Sequence, residues 1–356
     1  LNCSDRHALS AQLRVPEPEN AVMGIVLPPW DEIVSAHLRC LWALNKGDFE
    51  EACACQVKEE NWMLPVVLTS AVDLRSFATA LDTSTTGKAE PKSTYGGHME
   101  RVAQLIMKLF QICAADSRTA IEDSKKRGMM GLANQLFKIY FQINKLNLCK
   151  SIIRAIENMN MDPHFSLAQR VTFNYYVGRK AMFDGEFKLA NTALTFAFER
   201  CLSSSERNKR MVLIYLIPVR MLLGIFPQQK LLGKYNLREF EGIAEAAKSG
   251  NIKRLNEDLG RYEDFFISCG IFLILEKLKV IAYRNLFKRI ASILKTHLLP
   301  IAAFTDALKF MGMEDVDSDE TSCILSNLIY DGKIKGYLAH QQQKLVVSKV
   351  QAFPPL

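Results

Sequence analysis

The sequence predicts an all-α solenoid of TPR-like helical repeats that ends in a winged helix with a small β-hairpin. Apolar residues recur at helical spacing along most of the chain, and tight turns separate consecutive helices. Near the C-terminus the order changes to an apolar helix, a basic amphipathic helix, two further helices and a Lys-rich hairpin, which is the order of a winged helix.

A turn pattern recurs in the helical part. Asn45–Ala52 and Phe183–Ala190 each place a glycine in the turn and an aromatic residue two positions later. Gly47 and Gly185 suit the turn because glycine accepts left-handed backbone angles, and we expect Phe49 and Phe187 to fill the crevice between paired helices. Looser copies occur at Asn144–Cys149 and Leu223–Pro227. Unrelated helical hairpins are the alternative interpretation.

Apolar stripes predict the buried helix faces. Clear stripes lie at Leu136–Ile143 and Ile152–Ile156, and Arg170–Phe183 with Lys188–Cys201 forms the next helix pair. The segment Thr83–Gly97 is rich in Thr, Ser, Lys and Gly and predicts an exposed loop. We expect a helical-repeat stack over residues 1–260 and a winged-helix module over residues 261–356.

Within the winged-helix module, residues 261–356, an apolar helix predicted at Phe265–Leu278 precedes the three helices of the winged helix. Its first helix is predicted at Tyr283–Leu294, with Leu286, Ile290 and Ile293 facing inward, and its second at Pro300–Met311. The third helix is predicted at Thr321–Tyr330, where Asp317 and Glu320 have the spacing of a capping box. Two strands, Lys333–Tyr337 and Lys344–Lys349, complete the module.

The charge of this module is basic, within a chain of net charge +7. Every charged residue from Lys277 to Lys295 is a cation: Lys277, Lys279, Arg284, Lys288, Arg289 and Lys295. The hairpin adds Lys333, Lys335, Lys344 and Lys349. A basic patch without acids favours phosphate, whereas a solvated helix face is the alternative. The predicted third helix has no Arg or Lys, so we expect nucleic-acid contacts without strong sequence specificity.

The sequence indicates neither catalysis nor a cofactor. The six histidines are scattered, no metal-ligand spacing or phosphate loop occurs, and no nucleophile–base arrangement can be assembled. We expect a protein that is not an enzyme and has no catalytic, cofactor-binding or metal-binding residues. The nine cysteines are odd in number and mostly set among apolar residues, which indicates reduced thiols in an intracellular protein. No membrane-spanning helix is expected.

The chain resembles the PCI domain family, in which helical repeats run into a winged helix. The segments that carry the resemblance are Ile121–Lys126, Asn134–Tyr140, Tyr175–Phe183, Asn208–Tyr215, Gly270–Lys279 and Tyr283–Lys288. It covers roughly Pro28–Leu356, with a PCI domain over about residues 170–350, and departs from the family at Gln56 and Val57, where the chain is shorter than the family pattern.

The resemblance implies a scaffold subunit of a transcription-coupled mRNA export complex in the nucleus, at the nuclear envelope and nuclear pore, with some in the cytoplasm. Its implied partners are a large PCI-containing mRNA-export scaffold protein, a small acidic protein of the proteasome-lid and export type, and RNA or DNA, with the nuclear pore met indirectly and no membrane insertion. The implied nucleic-acid surface comprises the module's cations, and Arg207, Lys209 and Arg210 are weaker candidates. A protein-only scaffold in an assembly like the COP9 signalosome or the proteasome lid is the alternative.

Overall fold

A computed structural model describes residue 34 and residues 61–85, 97–118, 120–159 and 164–355. The chain divides into two compact units, one up to Tyr176 and one from Val177. The predicted turn at Gly47 and the departure at Gln56 and Val57 lie outside the described residues. The boundary predicted between residues 260 and 261 stays a prediction.

Helices form the described part of the first unit. They are α1 (Leu64–Thr85), α2 (Gly97–Ala114), α3 (Met129–Gln142) and α4 (Cys149–Glu157), followed by α5 (Leu167–Asp184), which begins in this unit. Short 3-10 turns lie at Asn61–Met63, Ile121–Asp123, Lys125–Gly128 and Leu146–Leu148.

Helix α1 buries a single stripe formed by Val67, Ala71, Leu74 and Ala78, which packs against α2 and α3. Residues 61–83, with a mean hydropathy of 1.3, are long and apolar enough to cross a membrane by length and composition. The sequence interpretation, which expected no such segment, did not recognise this one. The helix is buried on one side only, and Val72, Phe77 and Leu81 are exposed on the other.

Helix α3 is the centre of the first unit. Leu136, Ile139 and Tyr140 are buried, which confirms the predicted stripe. Gly131 allows the close approach of α1, because a Cβ atom there would lie 2.5 Å from a methyl group of Leu68. Helix α1 therefore packs closer to α3 than a side chain at residue 131 would allow.

Both ends of the loop predicted at Thr83–Gly97 are helical in the structure. Helix α1 continues to Thr85, and the Thr83 hydroxyl donates to the carbonyl oxygen of Ala80 across 2.9 Å, while α2 already begins at Gly97. Residues 86–96 lie outside the described residues.

The second unit continues the helical repeats. After α5 come α6 (Phe187–Arg200), α7 (Glu206–Leu222), α8 (Gln229–Lys234), α9 (Glu239–Ser249), α10 (Ile252–Arg261), α11 (Glu263–Ser268) and α12 (Phe272–Glu276). Gly185 joins α5 to α6 at φ +83°, which confirms the predicted turn. Gly224 has the same φ of +83° after α7, at the looser copy.

The single apolar helix predicted at Phe265–Leu278 is wrong. Gly270, at φ +70°, separates α11 from α12, and the N–H of Ile271 then donates to the carbonyl oxygen of Phe266 across 2.9 Å. A left-handed glycine ends a helix in this way. The apolar run is also not buried all round, since Leu273 is 76% exposed.

The winged helix follows directly. It comprises α13 (Leu278–Leu294), β1 (Leu298–Pro300), α14 (Ile301–Phe310), α15 (Ser318–Tyr330), β2 (Gly336–Ala339) and β3 (Lys344–Val347). The antiparallel sheet has the order β1-β3-β2, so a hairpin is present as predicted, and β1 is an additional strand. The first strand of the hairpin is Gly336–Ala339 rather than the predicted Lys333–Tyr337. Asp317 accepts a hydrogen bond from the backbone N–H of Glu320 at 2.8 Å, which confirms the predicted N-cap of α15.

The first helix of the module differs from its prediction at both ends. Helix α13 begins at Leu278 rather than at Tyr283. Leu286 is buried and Ile290 half-buried, but Ile293 is 77% exposed, so its predicted inward position is wrong. Ile293 lies in the last turn, just before Lys295 ends the helix at φ +50°, where the buried stripe of α13 has already ended.

Two contacts fix α13 in place. The ring of Phe287 meets that of Phe304 on α14 edge to face, with centroids 4.9 Å apart. On the repeat side, the turn between α9 and α10 places Gly250 against α13, where a Cβ atom would lie 2.5 Å from the backbone nitrogen of Leu286. The winged helix therefore packs directly on the last repeats.

Candidate nucleic-acid interface

Two predicted cations stand side by side on α13 and face solvent. Lys288 and Arg289 are both exposed, and neither forms an ion pair among the described residues. The amphipathic pattern of α13 puts its apolar stripe against α9 and α14 and leaves these two positions outside. They are two free positive charges that a phosphate can reach.

Lys277 and Lys279 lie at the other end of α13 and are already engaged. The Lys277 ammonium lies 5.5 Å from the ring centroid of Phe187, a cation–π geometry. Lys279 forms an ion pair with Glu276, its Nζ 2.7 Å from a carboxylate oxygen. Nine or more residues of helix separate this pair of lysines from Lys288, about 14 Å along the axis. The cations that form one run in the sequence therefore lie at two separate places on the helix, one near each end.

Arg284 is not part of a basic surface, and its assignment to one is corrected here. Only 5% of the residue is exposed. Its guanidinium donates to the carbonyl oxygens of Phe353 and Pro354 and to the side-chain oxygen of Asn285. Burial lowers the pKa of Arg284, yet an arginine remains a cation at neutral pH. The charge is therefore used inside the fold, to hold the C-terminal segment.

A signal for this burial exists in the sequence. Arg284 follows Ile281 by three residues and precedes Phe287 by three, and both of these are fully buried. Positions three apart share a helix face, so Arg284 lies in the apolar stripe of α13. Its acceptors lie 69 and 70 residues further along the chain, where no local pattern could indicate them.

The wing supplies four lysines, two of them fully exposed. Lys335 and Lys349 are exposed, whereas Lys333 and Lys344 are half-buried. The backbone N–H of Lys335 donates to the carbonyl oxygen of Ala352 across 2.8 Å, and the Lys335 carbonyl accepts from Ser348 at 2.8 Å. The C-terminal segment is thereby joined to β2.

The C-terminal segment contacts both the wing and α13. Ala352 bonds to Lys335, and the next two residues bond to Arg284 on α13. Lys288 follows the buried Arg284 by four residues but is itself exposed, as is Lys335 of the wing.

Helix α15 occupies the position of a recognition helix but has no cation to offer. Its first turn holds Asp319 and Glu320, and Asp317 caps it. Thr321 is buried, and its hydroxyl lies 2.9 Å from that of Thr305 on α14. The acids at its N-terminus disfavour phosphate there, so base reading in a major groove does not fit this helix.

The three weaker candidates lie on α7, in the repeats. Lys209 stacks its ammonium 5.1 Å from the ring centroid of Phe198, and Arg210 donates to the carbonyl oxygen of Asn236 at 3.4 Å. Arg207 is exposed beside Ser204 and Ser205 in an open depression. Of the three, Arg207 alone is fully exposed to a ligand.

Thiols and metal ligands offer no second site among the described residues. Cys113, Cys149 and Cys201 are buried thiols, Cys269 is half-buried, and Cys323 is exposed. Burial raises the pKa of Cys113 to about 11, which makes its thiol inert at neutral pH. Within the described ranges, no group of three His, Cys, Asp or Glu residues could hold a metal ion.

Comparison with known proteins places this architecture in a family. The model of the PCI domain matches residues 259–349. The chain is 51% identical to PCI domain-containing protein 2 of Xenopus laevis, over 100% of this chain and 94% of the relative. The chain belongs to the PCI domain-containing protein 2 family. The protein of the same name from Danio rerio is also 51% identical, over 98% of this chain and 90% of the relative.

This member of the PCI domain-containing protein 2 family is also similar to a more distant relative. Protein CSN12 homolog of Neurospora crassa is 29% identical, over 91% of this chain and 78% of the relative. Proteins with a PCI domain generally assemble with other PCI proteins and serve as scaffold subunits. The mostly helical fold, with its small three-stranded sheet near the C-terminus, fits this domain.

Proposed function

We propose that the chain is a non-catalytic scaffold subunit of a transcription-coupled mRNA export complex and contributes a basic surface for RNA or DNA. In this proposal the winged helix pairs with a large PCI-containing scaffold protein, and the helical repeats bind a small acidic protein. The complex works in the nucleus, at the nuclear envelope and nuclear pore, with some of the protein in the cytoplasm.

The observation that supports nucleic-acid binding is the pair Lys288 and Arg289. Both are exposed and lack ion-pair partners among the described residues, and Lys335 of the wing is exposed as well. Like charges held close together repel unless a polyanion relieves them. Because α15 has no cation, the contact is electrostatic and tolerant of sequence.

A salt series of RNA binding tests this proposal, with the chain alone and together with its PCI scaffold partner and the small acidic protein. Lys288→Glu with Arg289→Glu should weaken binding and lower the slope of log K against log salt by roughly 1.4, because two phosphate contacts are lost on a single strand. The matched control is Lys188→Glu with Arg200→Glu on α6, which makes the same charge change at exposed positions of the repeats.

The two double variants separate specific contacts from overall charge. Equal weakening by both would show that only net charge matters, and unchanged affinity in the Lys288 and Arg289 variant would refute the basic surface. Binding that is absent at low salt, with and without the partners, would refute the nucleic-acid role altogether.

The second candidate function is a protein-only scaffold in an assembly like the COP9 signalosome or the proteasome lid. It is favoured by the similarity to Protein CSN12 homolog of Neurospora crassa, at 29% identity. In that case the same cations would meet acidic protein. Charge reversal would then reduce assembly with a protein partner while RNA affinity stays absent.

A further inference from the structure

The three-stranded sheet of the winged helix has one buried and one open face. Leu299 and Leu345 are fully buried on the inner face. On the outer face the pairing register aligns Leu298 of β1, Val346 of β3 and Tyr337 of β2 in one row. Leu298 is 42% exposed and Tyr337 63% exposed. Residues paired across antiparallel strands point to the same side, so these three side chains form a continuous apolar row.

A lysine stands beside this row in the middle of the sheet. Lys344 is paired with Pro300 on one side and Ala339 on the other, and its side chain is half-buried. It precedes Val346 by two residues and therefore shares the outer face, about 7 Å along the strand. Among the described residues Lys344 has no ion-pair partner.

Two ordinary explanations of this arrangement fail. Lysines protect the edge strands of sheets against aggregation, but Lys344 is on the central strand β3. An apolar face of this kind can also bind protein, but lysine is depleted in the centre of protein interfaces. An aromatic ring and a cation at adjacent positions on one face are the two groups that a single nucleic-acid strand requires.

We propose that the outer face of this sheet binds single-stranded nucleic acid, with an unpaired base stacked on Tyr337 and a backbone phosphate on Lys344. Tyr337 and Lys344 are diagonal neighbours, about 7–8 Å apart. Neighbouring strands are about 4.8 Å apart, so the row from Leu298 to Tyr337 spans about 10 Å and accommodates the flat face of a base. The inference rests on the proposed function and specifies its ligand as a strand with unpaired bases.

The experiment measures binding of the full chain, alone and with its PCI scaffold partner, to three probes at several salt concentrations. The probes are a single-stranded oligouridine, an abasic strand of the same length and charge, and a duplex. The variants are Tyr337→Leu, which removes the ring, Tyr337→Phe, which keeps it, and Lys344→Gln. Thermal unfolding of each variant checks that the sheet remains folded.

Tyr337→Leu should weaken oligouridine binding about 5- to 150-fold, since stacking contributes about 1–3 kcal/mol per base. Its affinity for the abasic strand and its salt slope should not change, and Tyr337→Phe should bind like the unmodified chain. Lys344→Gln should lower the salt slope by roughly 0.7, the value of one phosphate contact.

Failure of this inference is distinguishable from failure of the proposed function. If Tyr337→Leu binds oligouridine normally while Lys288→Glu with Arg289→Glu weakens it, the base platform is wrong and the basic surface stands. If Tyr337→Leu instead loses a protein partner and keeps oligouridine affinity, the face is a protein-docking surface and the inference is overturned. If none of the probes binds at low salt in either state, both proposals are wrong.

Discussion

The guanidinium of Arg284 donates to the carbonyl oxygen of Phe353 across 3.2 Å, and so joins α13 to the C-terminal segment. The neighbouring Asn285 accepts from Arg284 at 2.7 Å and donates to the carbonyl oxygen of Ala247 on α9 at 2.9 Å. Two adjacent residues therefore connect the segment, the first helix of the module and the last repeats. This network fixes the orientation of the helix that also carries Lys288 and Arg289.

Replacing Arg284 should release the C-terminal segment. Arg284→Leu removes the donors for two carbonyl oxygens, and we expect it to lower the free energy of unfolding by about 1–3 kcal/mol. The N–H of Lys335, whose acceptor is Ala352, should exchange with solvent faster. Chemical denaturation and hydrogen exchange measure the two effects.

The matched control for Arg284 is Arg289→Leu, on the same helix but exposed. A surface substitution of this kind should change stability by less than about 0.5 kcal/mol. Equal losses in the two variants, or an unchanged exchange rate at Lys335, would contradict the structural role of Arg284.

Local sequence patterns correctly predicted the features that depend on interactions between residues close together in the sequence. Gly185 adopts the predicted left-handed turn, and Asp317 caps its helix three residues before Glu320, as their spacing indicates. The second strand of the wing also begins at Lys344, as predicted. Each of these features depends on residues within a few positions of one another.

The structure departs from the sequence prediction where contacts between distant segments of the chain determine the conformation. The position of Arg284 depends on carbonyl oxygens of the C-terminal segment. The run Phe265–Leu278 reads as one apolar helix, yet Gly270 divides it because the chain must turn from the repeats into the module. Strand β1 has three residues and exists through its pairing with β3, so Leu298 could not be assigned to the outer face beforehand.

Leu278 should be essential for folding at the start of α13. Its side chain is fully buried, and Leu278→Asp would place an unpaired charge in the core at a cost of roughly 3–5 kcal/mol. We expect the variant to lose cooperative thermal unfolding, and circular dichroism measures this change. Leu273→Asp is the control, because Leu273 is 76% exposed on the preceding helix. A Leu278→Asp protein as stable as the Leu273→Asp protein would refute this packing.

Gly250 should tolerate no side chain. It has φ +74°, and a Cβ atom there would lie 2.5 Å from the backbone nitrogen of Leu286, which cannot move aside as a flexible side chain could. We expect Gly250→Ala to lower the free energy of unfolding by about 1–3 kcal/mol. In Gly260→Ala, a helical position with nothing within 4 Å, stability should instead rise by about 0.5–1 kcal/mol. Denaturant titration of the two variants should therefore give shifts of opposite sign.

Asp116 should make the stability of the first unit dependent on acid pH. Burial alone would raise its pKa, but hydrogen bonds from the backbone N–H of Lys125 at 2.7 Å, the Ser124 hydroxyl at 3.0 Å and the N–H of Arg118 at 3.3 Å together lower it. A carboxyl group with a lowered folded pKa stabilises the fold above its unfolded pKa of about 3.9, and this contribution disappears as the pH falls through the folded pKa.

Asp116→Asn should therefore cost about 1 kcal/mol of unfolding free energy at pH 7, since a charged acceptor is replaced by a neutral one. The difference between the variant and the unmodified chain should shrink steadily below about pH 4, where the unmodified carboxyl group also becomes protonated. Unfolding measured by denaturant at a series of pH values gives this difference directly. A difference that stays constant from pH 7 to pH 2.5 would show that the Asp116 charge does not stabilise the turn.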